Sequence, residues 1–240
     1  DFWEINEDGA VDKYEREIEY HRGLYAAAID YLDRLVSELI EDIQEKTDRE
    51  TTVIVTADHG ENLGFEADDH RYLHWNSMTE SMLHVPCYVV NPPSGYDAVE
   101  SDYFSQLELG ELISGMAAGK TPDVFRESIA AERVGSWANS AAKTPLNEER
   151  FEFWDRMTRC VYEGAAKVVW DSMGTVEEYE LDSDRPCWQT KTRTGIEVPA
   201  DARARFDVEL AEYKASTEER ASGVDVESSA EKRLEELGYL

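Results

Sequence analysis

The stretch Thr51-Thr52-Val53-Ile54-Val55-Thr56-Ala57 constrains this chain more than any other. It is β-branched almost throughout and shows no polar alternation, so it predicts a strand buried on both faces, the habit of parallel sheets in α/β proteins. Asp58, His59 and Gly60 follow directly. The carboxyl edge of such a sheet is where open α/β folds hold their ligands. A carboxylate beside an imidazole can bind one divalent cation if the backbone leaves the strand at that point. Gly60 is expected to permit the turn. The tripeptide alone does not decide the matter, because Asp-His-Gly also occurs in surface turns where the Asp caps a helix.

The residues that follow narrow the choice. A polar loop rich in Asp and His leads to His74-Trp75-Asn76, and Ser77 with Glu80 three residues on has the spacing of a capping box, predicting a short helix. A second apolar run, His84-Val85-Pro86-Cys87-Tyr88-Val89-Val90, comes next. This order resembles the second half of the sulfatase family within the alkaline-phosphatase superfamily. There an apolar strand delivers Asp-His-Gly-Glu or Asp-Asn-Gly-Glu, then a loop with a basic residue, a short Ser/Glu helix and a Val-Pro strand. The resemblance is tight from Thr51 to Val90 and loose elsewhere. It implies an α/β fold, with part of an alkaline-phosphatase-like mixed sheet flanked by helices and a small carboxyl-terminal α+β subdomain.

Before the strand, Tyr14, Ile18, His21, Tyr25, Ala28, Leu32, Leu35, Leu39 and Ile43 recur at spacings of three and four, predicting one packing helix over 11–46. His21 lies on that stripe and reads as a core or edge histidine. After Val90, Asn91-Pro92-Pro93-Ser94-Gly95 breaks the strand, and a helix is expected over 105–118. Shorter strand-like runs at 129–134, 159–162, 166–170 and 176–181 predict a small antiparallel sheet. Helices are expected over 201–220 and 227–237, and 138–147 reads as a linker. These patterns divide the chain into a sulfatase-like α/β part, residues 1–125, and a small α+β subdomain with terminal helices, residues 126–240.

Carried over residue by residue, the resemblance implies that Asp58 and His59 are metal ligands. Calcium is the ion of most sulfatases, whereas an imidazole ligand suits manganese or zinc better. His74 lies near the place where many sulfatases have a Lys that grips the sulfate oxygens, and no Lys occurs between Glu50 and Gly119. An imidazole there can hold an oxyanion or pass the leaving-group proton, which makes His74 the catalytic candidate. His70 reads as a loop residue and His84 as structural. The family's nucleophile comes from a Cys/Ser-x-Pro/Ala-x-Arg motif. None of Cys87, Cys160 and Cys187 carries its Pro or Arg. The chain by itself is therefore expected to be inactive, its nucleophile lying in an amino-terminal half of a longer polypeptide, consistent with a start at Asp1.

The 240 residues carry 53 Asp plus Glu against 24 Lys plus Arg, a formal charge of -29. That balance excludes nucleic acid and anionic membranes as partners. Acid is spread along the chain, which points to a halophilic cytoplasm where abundant cations screen surface carboxylates. Three scattered cysteines are too few for a disulfide framework and are expected to be reduced, buried thiols. No apolar stretch approaches the length of a membrane span. The expected function is metal-dependent hydrolysis of a small sulfate ester. A phosphodiesterase or phosphonate monoester hydrolase of the same superfamily, or a non-catalytic acidic interaction module, stands as the alternative.

Overall fold

The computed structural model describes residues 4–6, 10–74, 77–96, 102–135 and 148–222, with side chains of 148–150 and 217–222 left aside. The helix expected at 227–237 and the linker at 138–147 lie outside these residues. The chain is mixed α/β and resolves into two compact units. Unit 1 comprises residues 1–129, 163–165 and 180–190, and unit 2 comprises 130–162, 166–179 and 191–240.

In unit 1 a 3₁₀ turn, Asp12–Tyr14, leads into helix α1, Glu15–Lys46. Its apolar stripe is used unevenly. Ile18 is 1% exposed, Arg22 Nε donates to the Leu63 carbonyl at 2.8 Å, and the His21 ring meets Tyr72 edge-on at 5.2 Å. Farther along, Leu24, Leu32, Leu35 and Leu39 are exposed. The spacing thus matches the covered face only from Tyr14 to Tyr25; farther along, Val36, Ile40 and Ile43 are the half-buried positions, because periodicity says which residues are apolar and not what covers them.

Strand β1, Val53–Thr56, forms where the β-branched run stands, and β4, Cys87–Val90, where the second run stands. The two pair antiparallel, Val53 opposite Val90 and Thr56 opposite Cys87. The expected parallel neighbour is therefore corrected: among the described residues β1 pairs only with β4, and Val53, Ile54 and Val55 are half-buried. An unbroken β-branched run reports a demand for cover, not a strand direction. One face of the pair receives helix α3, Leu109–Ala117, whose Leu112 and Met116 join Val124 over Ile54 and Val89. Each such side chain contributes about 1.5–3 kcal/mol on burial. Helix α2, Glu80–Leu83, precedes β4 in the chain, and beyond β4 the short strands β5, Tyr103–Phe104, and β6, Phe125–Arg126, pair antiparallel.

The loop between β1 and α2 is more ordered than its polar composition suggests. Strand β2, Asn62–Leu63, pairs antiparallel with β3, Tyr72–Leu73, around a 3₁₀ turn at Glu66–Asp68. The expected capping box does not form. Helix α2 starts three residues after Ser77, and its N-cap Thr79 makes no side-chain cap bond. Ser77 Oγ instead accepts from Asn62 Nδ2 at 2.9 Å. A buried Asn outbid the helix terminus for the serine hydroxyl, a competition open to Ser wherever a turn lies nearby.

Unit 2 holds a five-stranded sheet of order β11-β10-β9-β8-β7, each strand beside its sequence neighbour. Strands β7 Ser128–Arg133, β8 Thr158–Glu163, β9 Ala166–Asp171 and β10 Val176–Leu181 coincide with the strand-like runs. The tight turns use Gly164 and Gly174 at positive φ. The fifth strand, β11 Gln189–Thr194, is polar and mostly exposed, so no alternation announced it. Helix α4, Glu148–Trp154, also went unforeseen. The helix expected over 201–220 is broken into α5, Ala200–Arg203, and α6, Leu210–Ser222. Between them Phe206 packs on Met157, Trp170 and the rest of the unit 2 core.

Only Cys160 is buried; Cys87 and Cys187 are free and exposed, contrary to the expectation of three buried thiols. Cys87 opens an edge strand and Cys187 sits in the loop before β11, positions with little cover of their own.

Candidate metal and oxyanion site

The backbone leaves β1 at Ala57, whose carbonyl accepts from Gln106 Nε2. Asp58 Oδ1 then accepts from the His59 amide at 2.9 Å, which fixes the carboxylate over the turn. Gly60 is required for a reason other than the one its position suggested. Its φ is not positive. Its amide donates to the Met82 carbonyl at 3.0 Å, and a Cβ built on it would stand 1.9 Å from the Ser81 carbonyl oxygen. Only a glycine lets α2 lie against the end of β1.

His59 Nδ1 donates to the Gly60 carbonyl at 2.8 Å. Asp58 Oδ2 and His59 Nε2 are 4.0 Å apart. Two donors on one ion at about 2.0–2.2 Å lie about 3.0–3.5 Å apart, so the pair closes on a metal only when the exposed Asp58 carboxylate turns toward His59. The donor set, one carboxylate oxygen and one imidazole nitrogen with its other nitrogen anchored to a carbonyl, fits a divalent ion. Both groups are reachable from solvent, with the side chains of Asp58 and His59 73% and 35% exposed.

His74 reaches the same place from β3. Leu73 takes a left-handed φ of 62°, a conformation that costs a non-glycine residue about 1–3 kcal/mol. Asn62 holds it there, donating to the Leu73 carbonyl at 2.6 Å and accepting from Thr79 Oγ1 at 2.6 Å. The turn therefore ends with the His59 and His74 rings 5.1 Å apart. Glu61 completes the group: its Oε2 accepts from His74 Nδ1 at 3.2 Å. Sequence reasoning passed over Glu61, although its place directly after Gly60 was the available signal.

Behind these residues, Asp68 is the anchor of the loop. It is 1% exposed, and its Oδ2 accepts from the Leu63 and Phe65 amides at 2.9 and 3.2 Å. Ser81 Oγ donates to its other oxygen, which ties β2 to α2. Burial pushes the Asp68 carboxyl above the usual range, against the opposing pull of those hydrogen bonds. His70 sits exposed in the turn at φ 57° and is not part of the group. His84 Nδ1 donates to the Pro186 carbonyl at 2.9 Å, an anchor for the loop before β11 that lies 102 residues away in sequence. Among the described residues no three His, Cys, Asp or Glu side chains form a ready-made metal cage.

The segment that carries α1, β1 and the Asp58-His59 turn is similar to hydrolases of the alkaline-phosphatase-like class. The sulfatase family model matches residues 5–119 of the 240. Members of that family act on sulfate esters and generally use a divalent metal. No curated protein matches the chain. Among the described residues no helix is long and apolar enough to cross a membrane.

Proposed function

We propose that this chain supplies the metal-binding side of a sulfatase active site, and that the reaction is hydrolysis of a small sulfate ester. The observation that carries the reading is the Asp58-His59 turn at the end of β1, inside the sulfatase-matching segment, with Oδ2 and Nε2 4.0 Å apart. Residues 1–125 are the catalytic α/β portion and 126–240 the accompanying α+β subdomain. Asp58 and His59 hold the divalent ion, calcium by family habit, with manganese or zinc suited to the imidazole. The bound ion supplies positive charge to an ester oxygen.

His74 is the catalytic residue on this side. Its Nδ1–H is committed to Glu61, so contact with the ester falls to Nε2. When the ring carries its second proton, Nε2 donates to a sulfate oxygen or to the departing alkoxide. Glu61 fixes the ring for that contact. No Cys or Ser of this sequence sits in the nucleophile motif, so the attacking group comes from a partner segment, the amino-terminal half of the same polypeptide. The acidic surface fits a salt-rich cytoplasm.

The test is turnover of an aryl sulfate by a polypeptide uniting this chain with a nucleophile-bearing amino-terminal half. Asp58→Ala and His59→Ala are each expected to lower the rate at least a hundredfold with little change in unfolding midpoint, because exposed ligands add little packing. Wild-type rates in both variants would refute the assignment, and turnover of an aryl phosphodiester in place of the sulfate would move the chain to phosphoryl chemistry.

A further inference from the structure

The turn that delivers His74 is built from conformations that side chains resist. Between Phe65 and His74 three residues other than glycine, Asp69, His70 and Leu73, take left-handed φ values of 50°, 57° and 62°. Such residues persist only where their surroundings over-determine them. Asn62 and Asp68 do so from within the turn. A second hold comes from the loop 182–188, outside the sulfatase-matching residues 5–119. Trp188 lies against Phe65 with ring centres 6.0 Å apart. The Arg22 guanidinium stands 3.9 Å over the Phe65 ring and that of Arg185 4.5 Å over Trp188, so each ring of the pair carries its own cation. Beside the rings, the Pro186 carbonyl accepts from His84 Nδ1 at 2.9 Å, and the Cys187 carbonyl lies 3.5 Å from Ser81 Oγ.

The loop is stiff enough to brace its neighbour. Asp182 Oδ1 accepts from the Asp184 and Arg185 amides at 2.9 and 3.1 Å, and its Oδ2 accepts from Arg185 Nε at 2.8 Å. The Trp188 amide donates to the Arg185 carbonyl at 2.7 Å. Trp188 is thus presented on a turn closed by its own hydrogen bonds. It meets the 62–74 turn at Phe65, whose carbonyl accepts from both the Asp68 and the His70 amides at 3.0 Å. We propose that Trp188 is a positioning residue for His74: braced against Phe65, it keeps the turn in the form that holds His74 Nδ1 on Glu61 and leaves Nε2 for the ester. The inference rests on the reading of His74 as the catalytic imidazole, and it makes the loop before β11 a working part of that site.

The experiment compares wild type with Trp188→Ala, Trp188→Phe and His84→Ala. In the 240-residue chain, held in molar potassium chloride at a pH where imidazoles are neutral, nitrogen-15 NMR reads which ring nitrogen of His74 carries the proton. Wild type is expected to show Nδ1–H, held by Glu61, and Trp188→Ala the Nε2–H form that a free imidazole prefers. The phenyl ring of Trp188→Phe should restore the wild-type form. In the polypeptide that unites this chain with a nucleophile-bearing amino-terminal half, Trp188→Ala should lower kcat for an aryl sulfate at least about tenfold with KM held within about threefold, and Trp188→Phe should recover most of the rate. His84→Ala loosens the same loop at an exposed side chain, so it keeps the fold and should shift the His74 ring in the same direction even where Trp188→Ala unfolds. A wild-type His74 ring in Trp188→Ala, or in His84→Ala where the tryptophan variant does not fold, would overturn the proposal. A rate loss that follows the unfolding midpoint with the His74 proton unmoved would do the same, leaving Trp188 a role in folding alone. If the ring shifts as expected but Asp58→Ala, His59→Ala and His74→Ala all turn over as wild type, the placement of His74 by Trp188 stands and the sulfatase reading falls by itself.

Discussion

Asp68 shows how much of this site depends on one buried atom pair. Its Oδ2 is the acceptor for two backbone amides in the loop that delivers His74. Asp68→Ala leaves those donors unsatisfied and is expected to cost about 2–6 kcal/mol, at about 1–3 kcal/mol for each orphaned buried group. Asp68→Asn keeps a carbonyl for the amides and turns its NH₂ toward Ser81 Oγ, so the loop survives. Wild type and Asp68→Asn differ in pH dependence for a definite reason. Burial raises the Asp68 carboxyl in the folded protein, so the folded state binds the proton more tightly than the unfolded chain. The stability this contributes is full below the ordinary Asp range and is lost as pH rises through the raised value. Urea midpoints of wild type relative to Asp68→Asn should therefore fall as pH rises from about 3.5 toward neutrality. A constant difference across that range would show that the hydrogen bonds, not burial, set the Asp68 equilibrium.

At the scale of elements, α1 is one helix with two fates. Ile18, His21 and Arg22 engage the β2–β3 hairpin, whereas Leu32, Leu35 and Leu39 stay exposed. Along this outer part, ion pairs Asp30–Arg34 at 3.2 Å and Asp42–Lys46 at 2.5 Å supply side-chain support, worth about 0.3–0.5 kcal/mol each. Ile18→Ala is expected to lower stability by about 2–5 kcal/mol, as for a buried aliphatic truncation. Leu32→Gln and Leu39→Gln should change it by less than about 0.5 kcal/mol. Urea denaturation checks the contrast, and hydrogen exchange should run faster along 30–46 than along 16–25. Comparable losses at Leu32 and Ile18 would mean that the outer half of α1 is packed after all.

The whole molecule is set by its charge. With a formal charge of -29, like-charge repulsion opposes compaction until salt shortens its range, to about 3 Å at 1 M. The melting temperature is expected to climb from millimolar buffer to molar potassium chloride, with helicity by circular dichroism falling on dilution. An unchanged spectrum and an unchanged melting temperature would remove the salt-adapted reading.

The sequence by itself determined the parts whose signal is local. The β-branched run became β1, the heptad-like spacing became α1, and four of the five strands of unit 2 stood where alternation placed them. The Asp58-His59-Gly60 turn and the resemblance of its segment to sulfatases were equally legible, since both reside in contiguous residues. Tertiary structure alone decided the rest. The antiparallel pairing of β1 with β4 depends on a partner 37 residues away in the Val53–Val90 register, and a strand's composition carries no direction. The need for Gly60 comes from the Ser81 carbonyl pressed against it. His74 lies beside His59 because Asn62, Asp68 and a left-handed Leu73 fold fifteen residues of chain back on themselves. Such convergence is fixed by buried polar atoms finding partners, and no periodicity along the chain records it.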